Sequence, residues 1–241
     1  MSSACIYPQR RPLGHARDDS DNAPVKARDA STLIVWRHGV EGAEVLMGRR
    51  SRSAAFVPGF FVFPGGRVDP GDYAVSAATP LELAAAQRMD VCGDASLAKA
   101  LAIAAVRETF EETGLMLAQS GDIGEAANAD WVHWRERGLA PQLDRLTYFG
   151  RAITSPISPT RFHARFFITR AEALQGELGG AGELCELGFY LVSDVLAHMP
   201  IVDVTEFMLN RVTSYATEPL NFNLRTPVFS YKDEEPFVRY K

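Results

Sequence analysis

Cysteine is scarce: Cys5, Cys92 and Cys185 are the three in 241 residues. Odd in number and far apart, they offer neither a disulfide framework nor the paired spacing of a zinc site, and a reducing, cytoplasmic setting is expected. Long apolar runs are missing too, none approaching the ~18–20 residues of a membrane span. The first residues carry no apolar signal-peptide core, and their mixture of Arg and Asp is unlike an acid-poor transit peptide. The terminal Val238-Arg239-Tyr240-Lys241 is not a peroxisomal address. Positive charge is in deficit: 25 Lys and Arg against 30 Asp and Glu give a net charge of −5, which argues against nucleic-acid binding by bulk attraction. What remains is a chain 46% hydrophobic, able to bury a large core as one domain or two.

The most informative stretch is Arg107-Glu108-Thr109-Phe110-Glu111-Glu112-Thr113-Gly114-Leu115. Helical spacing sets Glu108, Glu111 and Glu112 on one face and Ile103, Val106 and Phe110 on the opposite, buried one. Asp94 or Ser96 can cap the start, the alanine-rich run that follows favours helix, and Gly114 suits the left-handed C′ position, so the spacing predicts a helix over 96–113. Arg107 stands one turn before Glu111 and can hold that carboxylate. The Glu108/Glu112 like-charge pair alone costs about 0.2–0.5 kcal/mol on an exposed helix. A divalent cation would reverse that sign.

Upstream, Pro64-Gly65-Gly66-Arg67-Val68-Asp69-Pro70-Gly71-Asp72 forms a glycine turn followed by an acid. Together the two stretches resemble the two halves of the Nudix box, with Thr109 at a position that is usually apolar and Asp72 in place of a glutamate. The halves are parted by 34 residues, Tyr73 to Val106, where the ordinary box has seven. A contiguous register starting at Gly93 would put Lys99 where the acid belongs, with no Pro-Gly-Gly turn before it. The insertion, about 73–95, therefore reads as a long loop with an extra helix at about 80–89.

An interrupted box with aspartate as its first acid resembles the Nudix branch that includes the peroxisomal coenzyme A diphosphatases. Leu46-Met47-Gly48-Arg49-Arg50-Ser51 and Phe56 to Gly66 resemble the segment that precedes the box in coenzyme A-cleaving members, with Ala55 where a second arginine would fall and Phe61 for a valine. Thr154 to Phe167 is similar to a further segment of that branch, so the resemblance spans about 31–200. It implies an α/β/α sandwich with a mixed sheet and an inserted helix. It also implies Mg²⁺ or Mn²⁺ on Glu108, Glu111, Glu112 and a carbonyl of Gly65 or Gly66, with Arg107 in the catalytic set.

The expected reaction is hydrolysis of a nucleotide-linked diphosphate, with coenzyme A or its acyl derivatives leading and ADP-ribose, dinucleotides or nucleoside-diphosphate sugars as alternatives. A non-catalytic nucleotide-binding module is a further alternative. Candidate substrate contacts are Arg49, Arg50, Arg67, Phe56 and Arg161. The general base is Glu108, or an acid of a later loop such as Glu183 or Glu186, and Asp72 is expected behind the metal ligands. His163, a lone histidine, reads as structural.

Composition sets residues 1–28 apart as a flexible arm, 29–219 as the hydrolase domain, and 220–241 as an extended tail that packs alone or joins a dimer interface. Strands are predicted at about 31–37, 43–49, 60–63, 146–153, 162–169 and 186–192, with further helices at about 123–137 and 203–216.

Overall fold

The computed structural model describes residues 25–54, 56–125, 129–180, 182–218 and 225–240. The arm expected over 1–28 lies outside the described residues up to position 24. The strands are β1 (Arg28–His38), β2 (Ala43–Arg50), β3 (Phe61–Val62), β4 (Gly65–Arg67), β5 (Ala118–Ser120), β6 (Leu139–Pro141), β7 (Thr147–Ile153), β8 (Phe162–Arg170), β9 (Leu184–Leu191), β10 (Pro227–Lys232) and β11 (Glu235–Tyr240). The helices are α1 (Leu83–Arg88), α2 (Ala95–Thr113), α3 (Val132–Glu136), α4 (Val192–His198) and α5 (Asp203–Thr217).

Nine strands form one mixed sheet, β5 and β6 pairing separately. β1 lies at its centre, parallel to β8 along its length. Its other edge is shared: the far half pairs antiparallel with β2, the near half with β4. Because β3 also pairs with β2, the chain from Phe61 to Arg67 sits where β1 and β2 part.

Both faces of the sheet are covered, and the period-2 alternation of β1 explains how. Leu33 and Val35 join a core with α1, α2 and Trp134. Ile34 and Trp36 join a second core with α4 and α5. This is the α/β/α arrangement expected from the sequence, with a mixed sheet.

The acidic helix begins at Asp94, whose carboxylate accepts from the Leu97 amide at 2.9 Å, and ends at Gly114 with φ +76. A side chain at Gly114 would meet the carbonyl of Glu177 at 2.6 Å, so glycine is required twice over. The single buried face read from the sequence needs correction: Ala100 to Val106 are all buried, because the insertion covers what would have been a solvent side. Val75, Ala85, Met89 and Val91 of the insertion belong to the α2 core, so it is a packed layer and not a loose loop. Its helix is shorter than the 80–89 expected, starting three residues after Pro80.

Thr109 fills its usually apolar position by donating its hydroxyl to the Ala105 carbonyl at 2.7 Å, which satisfies a buried polar group within the helix. The helix expected over 123–137 reduces to a short 3-10 turn and α3 in its described part. The strands β4, β5 and β6 and helix α4 were not foreseen. Residues 227–240 form a hairpin that adds to the sheet through pairing of β10 with β7. Among the described residues no helix is long and apolar enough to cross a membrane.

Candidate active site

Arg107 joins the two halves of the box. Its Nε donates to Asp72 Oδ1 at 2.8 Å and its Nη2 to Asp72 Oδ2 at 3.1 Å, a bidentate pair in which both side chains are buried. Asp72 Oδ2 also accepts from the Asp69 amide at 2.8 Å, and Arg107 Nη2 donates to the carbonyl of Arg67 at 2.9 Å. One guanidinium thereby fixes the glycine turn against α2 across the whole insertion.

The remaining nitrogen of the same guanidinium holds two of the glutamates. Nη1 donates to Glu108 Oε1 at 3.0 Å and to Glu111 Oε2 at 3.2 Å. Glu112 accepts from the Gly65 amide at 2.9 Å. The glycines are there for space: a Cβ on Gly66 would run into the Glu108 carboxylate, and one on Gly65 into the Ser31 carbonyl.

Burial drives the electrostatics. It raises the Glu108 pKa to about 7 against the pull of Arg107, and that of Glu112 to about 8 against the Gly65 N–H. It raises Glu111 as well, again opposed by Arg107. Burial alone would lower the Arg107 pKa, but the bonds to Asp72 and the charges of Glu108 and Glu111 raise it above its ordinary value.

The site thus holds more negative charge than its one shared guanidinium offsets. Hard carboxylate oxygens with unmet charge suit a small divalent cation such as Mg²⁺ or Mn²⁺. Two carboxylates lean on Arg107 and the third on a backbone amide. Accordingly, among the described residues no three acidic, histidine or cysteine side chains are gathered at a single point.

A cleft of about 910 Å³ runs past these residues, lined by Gly65, Gly66, Arg67, Arg107, Glu108, Glu111, Glu112, Arg50, Phe56 and Glu183. Arg50 Nε is buried there without a hydrogen-bond partner among the described residues. Phe56 meets Phe162 edge-on, ring centroids 5.1 Å apart. Asp72 stands behind the lining.

The candidates Arg49, Arg161 and Glu186 are not brought to the cleft. Arg49 is paired with Glu186 outside it, because neighbouring residues of β2 point to opposite faces and only Arg50 turns inward. Arg161 is taken up by the carbonyls of Val25, at 2.8 Å, and Thr154. His163 lies outside the lining too; burial first, then Arg165 and Arg151, lower its pKa to about 4.

One acid in the cleft escaped the sequence reading. Phe110 of α2 packs edge-on against Trp134, centroids 5.8 Å apart, and this anchors the preceding turn so that Asp130 raises the pKa of Glu111. No local pattern marks Asp130, which reaches the cleft through the packing of its turn beside α2.

No family profile matches the chain. A solved Nudix hydrolase from Alicyclobacillus acidocaldarius is 32% identical with a TM-score of 0.61, covering 80% of this chain and 93% of its own. A curated Caenorhabditis elegans protein described as a nudix hydrolase is 30% identical over 135 residues, 52% of this chain. That match spans only 38% of the worm protein's length. The chain belongs to the Nudix hydrolase family.

Proposed function

We propose that this protein hydrolyses a nucleotide-linked diphosphate with Mg²⁺ or Mn²⁺ bound at Glu108, Glu111, Glu112 and the Gly65–Gly66 turn. The carrying observation is the cleft in which three glutamates with burial-raised pKa values lie against a glycine turn clamped by one arginine. A bound divalent cation would neutralise diphosphate charge and lower the pKa of water.

The chain's own residues divide the remaining work. Arg107 keeps the glutamates in register with the turn. Arg50, unpartnered at Nε, is placed to contact a phosphate oxygen. Glu183 lines the cleft and makes no hydrogen bond or ion pair among the described residues, which leaves it available to take a proton from the attacking water. Glu186 is withdrawn by Arg49, and Glu108 is already engaged by Arg107.

Coenzyme A or acyl-coenzyme A is the substrate we favour, giving 3′,5′-adenosine bisphosphate and a phosphopantetheine. The sequence around Arg50 and the interrupted box support it. A metal-dependent screen of coenzyme A, acyl-coenzyme A, ADP-ribose, NADH and dinucleoside polyphosphates tests the reading. Converting Glu111 and Glu112 to Gln should abolish turnover with the fold intact, and unchanged activity would refute the metal site. Replacing Arg50 should impair coenzyme A more than ADP-ribose, whereas equal losses would remove the coenzyme A assignment.

A further inference from the structure

Residues 175–180, in the loop between β8 and β9, are exposed, yet their backbone is held against the end of α2. Gln175 exchanges two backbone hydrogen bonds with Met116, at 2.8 and 3.0 Å, and from there the loop retraces the helix end in reverse. Gly176 faces the carbonyl of Gly114, the Gly179 amide donates to the Thr113 carbonyl at 2.8 Å, and Gly180 faces the carbonyl of Glu112. The last carbonyls of a helix lack partners within it, and the loop supplies one from Gly179. These approaches are backbone on backbone. A methyl on Gly176 would stand 2.7 Å from the Gly114 oxygen, and one on Gly180, at φ +140, would overlap the Glu112 carbonyl.

The chain beyond the loop is fixed as well. Leu184 opens β9 opposite Arg50 of β2, and its buried side chain packs over Gly48, where a Cβ would come 2.7 Å from that of Leu184. Residues 181–183 therefore lie between two anchors, one on the helix that carries Glu108, Glu111 and Glu112, the other on the strand that carries Arg50. The last of the three is Glu183, which lines the cleft and whose negative charge raises the pKa of Glu112.

We infer that this loop is a positioning device: Gly176 and Gly180 seat it on the end of α2, so that Glu183 is held beside Glu112 within reach of the attacking water. The inference rests on the reading of Glu183 as the base and deepens it. A base works only within about 2.6–3.2 Å of the oxygen whose proton it takes. Misplacement by about 1 Å can cost about a hundredfold in rate. Because residues 175–180 are exposed, an added methyl would displace the loop toward solvent and leave the core closed. Gly176 and Gly180 are positioning residues that act through Glu183 and touch no substrate.

The test is steady-state kinetics of the full chain with Mg²⁺, on whichever of coenzyme A, ADP-ribose and dinucleoside polyphosphates it cleaves fastest. Gly180→Ala is made both in the wild type and in Glu183→Gln. In the wild type it should lower kcat by about tenfold or more, with KM within about twofold and Mn²⁺ affinity unchanged. In Glu183→Gln it should slow turnover no further, because the group it displaces is already gone. Gly176→Ala should repeat both results, which keeps the test decisive if Gly180→Ala fails to fold. Gly138→Ala also removes a glycine of positive φ, but into open space, and should leave kcat unchanged. Wild-type kcat in Gly180→Ala, or the same loss in both backgrounds, would overturn the seat while leaving Glu183 as the base. So would a fall in Mn²⁺ affinity that matches the fall in kcat, since the effect would then lie at Glu112. If Glu183→Gln is as fast as wild type, or none of these diphosphates is hydrolysed, the base reading fails and the seat fails with it.

Discussion

Replacing Asp72 by Asn changes one oxygen for an amide nitrogen in a place where nothing can adapt. Asp72 is fully buried, and both of its oxygens accept, from Arg107 Nε and Nη2 and from the Asp69 amide. Asparagine can keep one acceptor; its amide group then faces other donors, and Arg107 loses its main counter-charge. Removing one partner of a buried pair costs about 3–5 kcal/mol. At about 2–4 °C per kcal/mol for a domain of this size, the melting temperature should fall by roughly 6–20 °C. Trp36, Trp131 and Trp134 are buried, so urea unfolding followed by tryptophan fluorescence reports the loss directly. Asp69→Asn is the control: its carboxylate is 3.9 Å from Arg107 and 45% exposed, and its loss should cost no more than about 0.5 kcal/mol. A second arm combines Asp72→Asn with Arg107→Gln, where the pair should show coupling of about 2 kcal/mol or more. An Asp72→Asn stability within about 1 kcal/mol of wild type, or strict additivity with Arg107→Gln, would refute the view that this ion pair joins the halves of the box.

The adjacent glycines should separate fold from chemistry. Gly65→Ala drives a methyl into the Ser31 backbone and should lower the melting temperature by several degrees, whereas Gly66→Ala meets only the movable end of Glu108 and should spare stability while cutting turnover roughly a hundredfold. Equal melting losses would count against this division. Glu183→Gln should lower kcat by roughly a hundredfold or more with little change in KM; a variant as fast as wild type would exclude it as the base.

His163 should give the protein an acid-sensitive stability. Arg151 donates toward its Nε2, Arg165 adds a second positive charge, and Asp29 and Asp90 oppose them only in part. The folded pKa, about 4, lies below the ordinary 6.5. The unfolded chain therefore takes up a proton that the native state refuses as pH falls from 6.5 toward 4, and stability present above 6.5 is lost in that window. Relative to wild type, His163→Gln should gain about 2 kcal/mol between pH 7 and pH 4.5, and parallel stability curves for the two proteins would contradict the assignment.

The acidic helix was legible because everything that defines it is local: the cap at Asp94, the alanine run, the glutamate spacing and the glycine stop all act within a few turns. The strands β1 and β2 were legible for the same reason, as short continuous apolar runs that serve both faces of a central strand. Short pieces were not. β4, β5 and β6 have three residues each, too few to show a period, and they exist because the sheet and neighbouring loops offer them hydrogen-bond partners.

Composition suggested an extended tail over 220–241. Yet Pro227 opens β10 and Pro236 lies in the outermost strand, positions where a missing N–H costs least.

By itself the sequence determined the chemical content of the site: three carboxylates on one helix, a glycine turn with an acid, and an arginine between them and the core. It could do so because side-chain type and helical period are properties of neighbours in the chain. Only the tertiary structure decided that Asp72 and Arg107 meet across the insertion, that Arg50 faces the cleft while Arg49 turns to Glu186, and that Asp130 stands beside Glu111. It alone laid the loop before β9 along the end of α2 and put Glu183 in the cleft. Those are consequences of strand register and helix packing, which join residues too far apart in the chain for any local spacing to announce them.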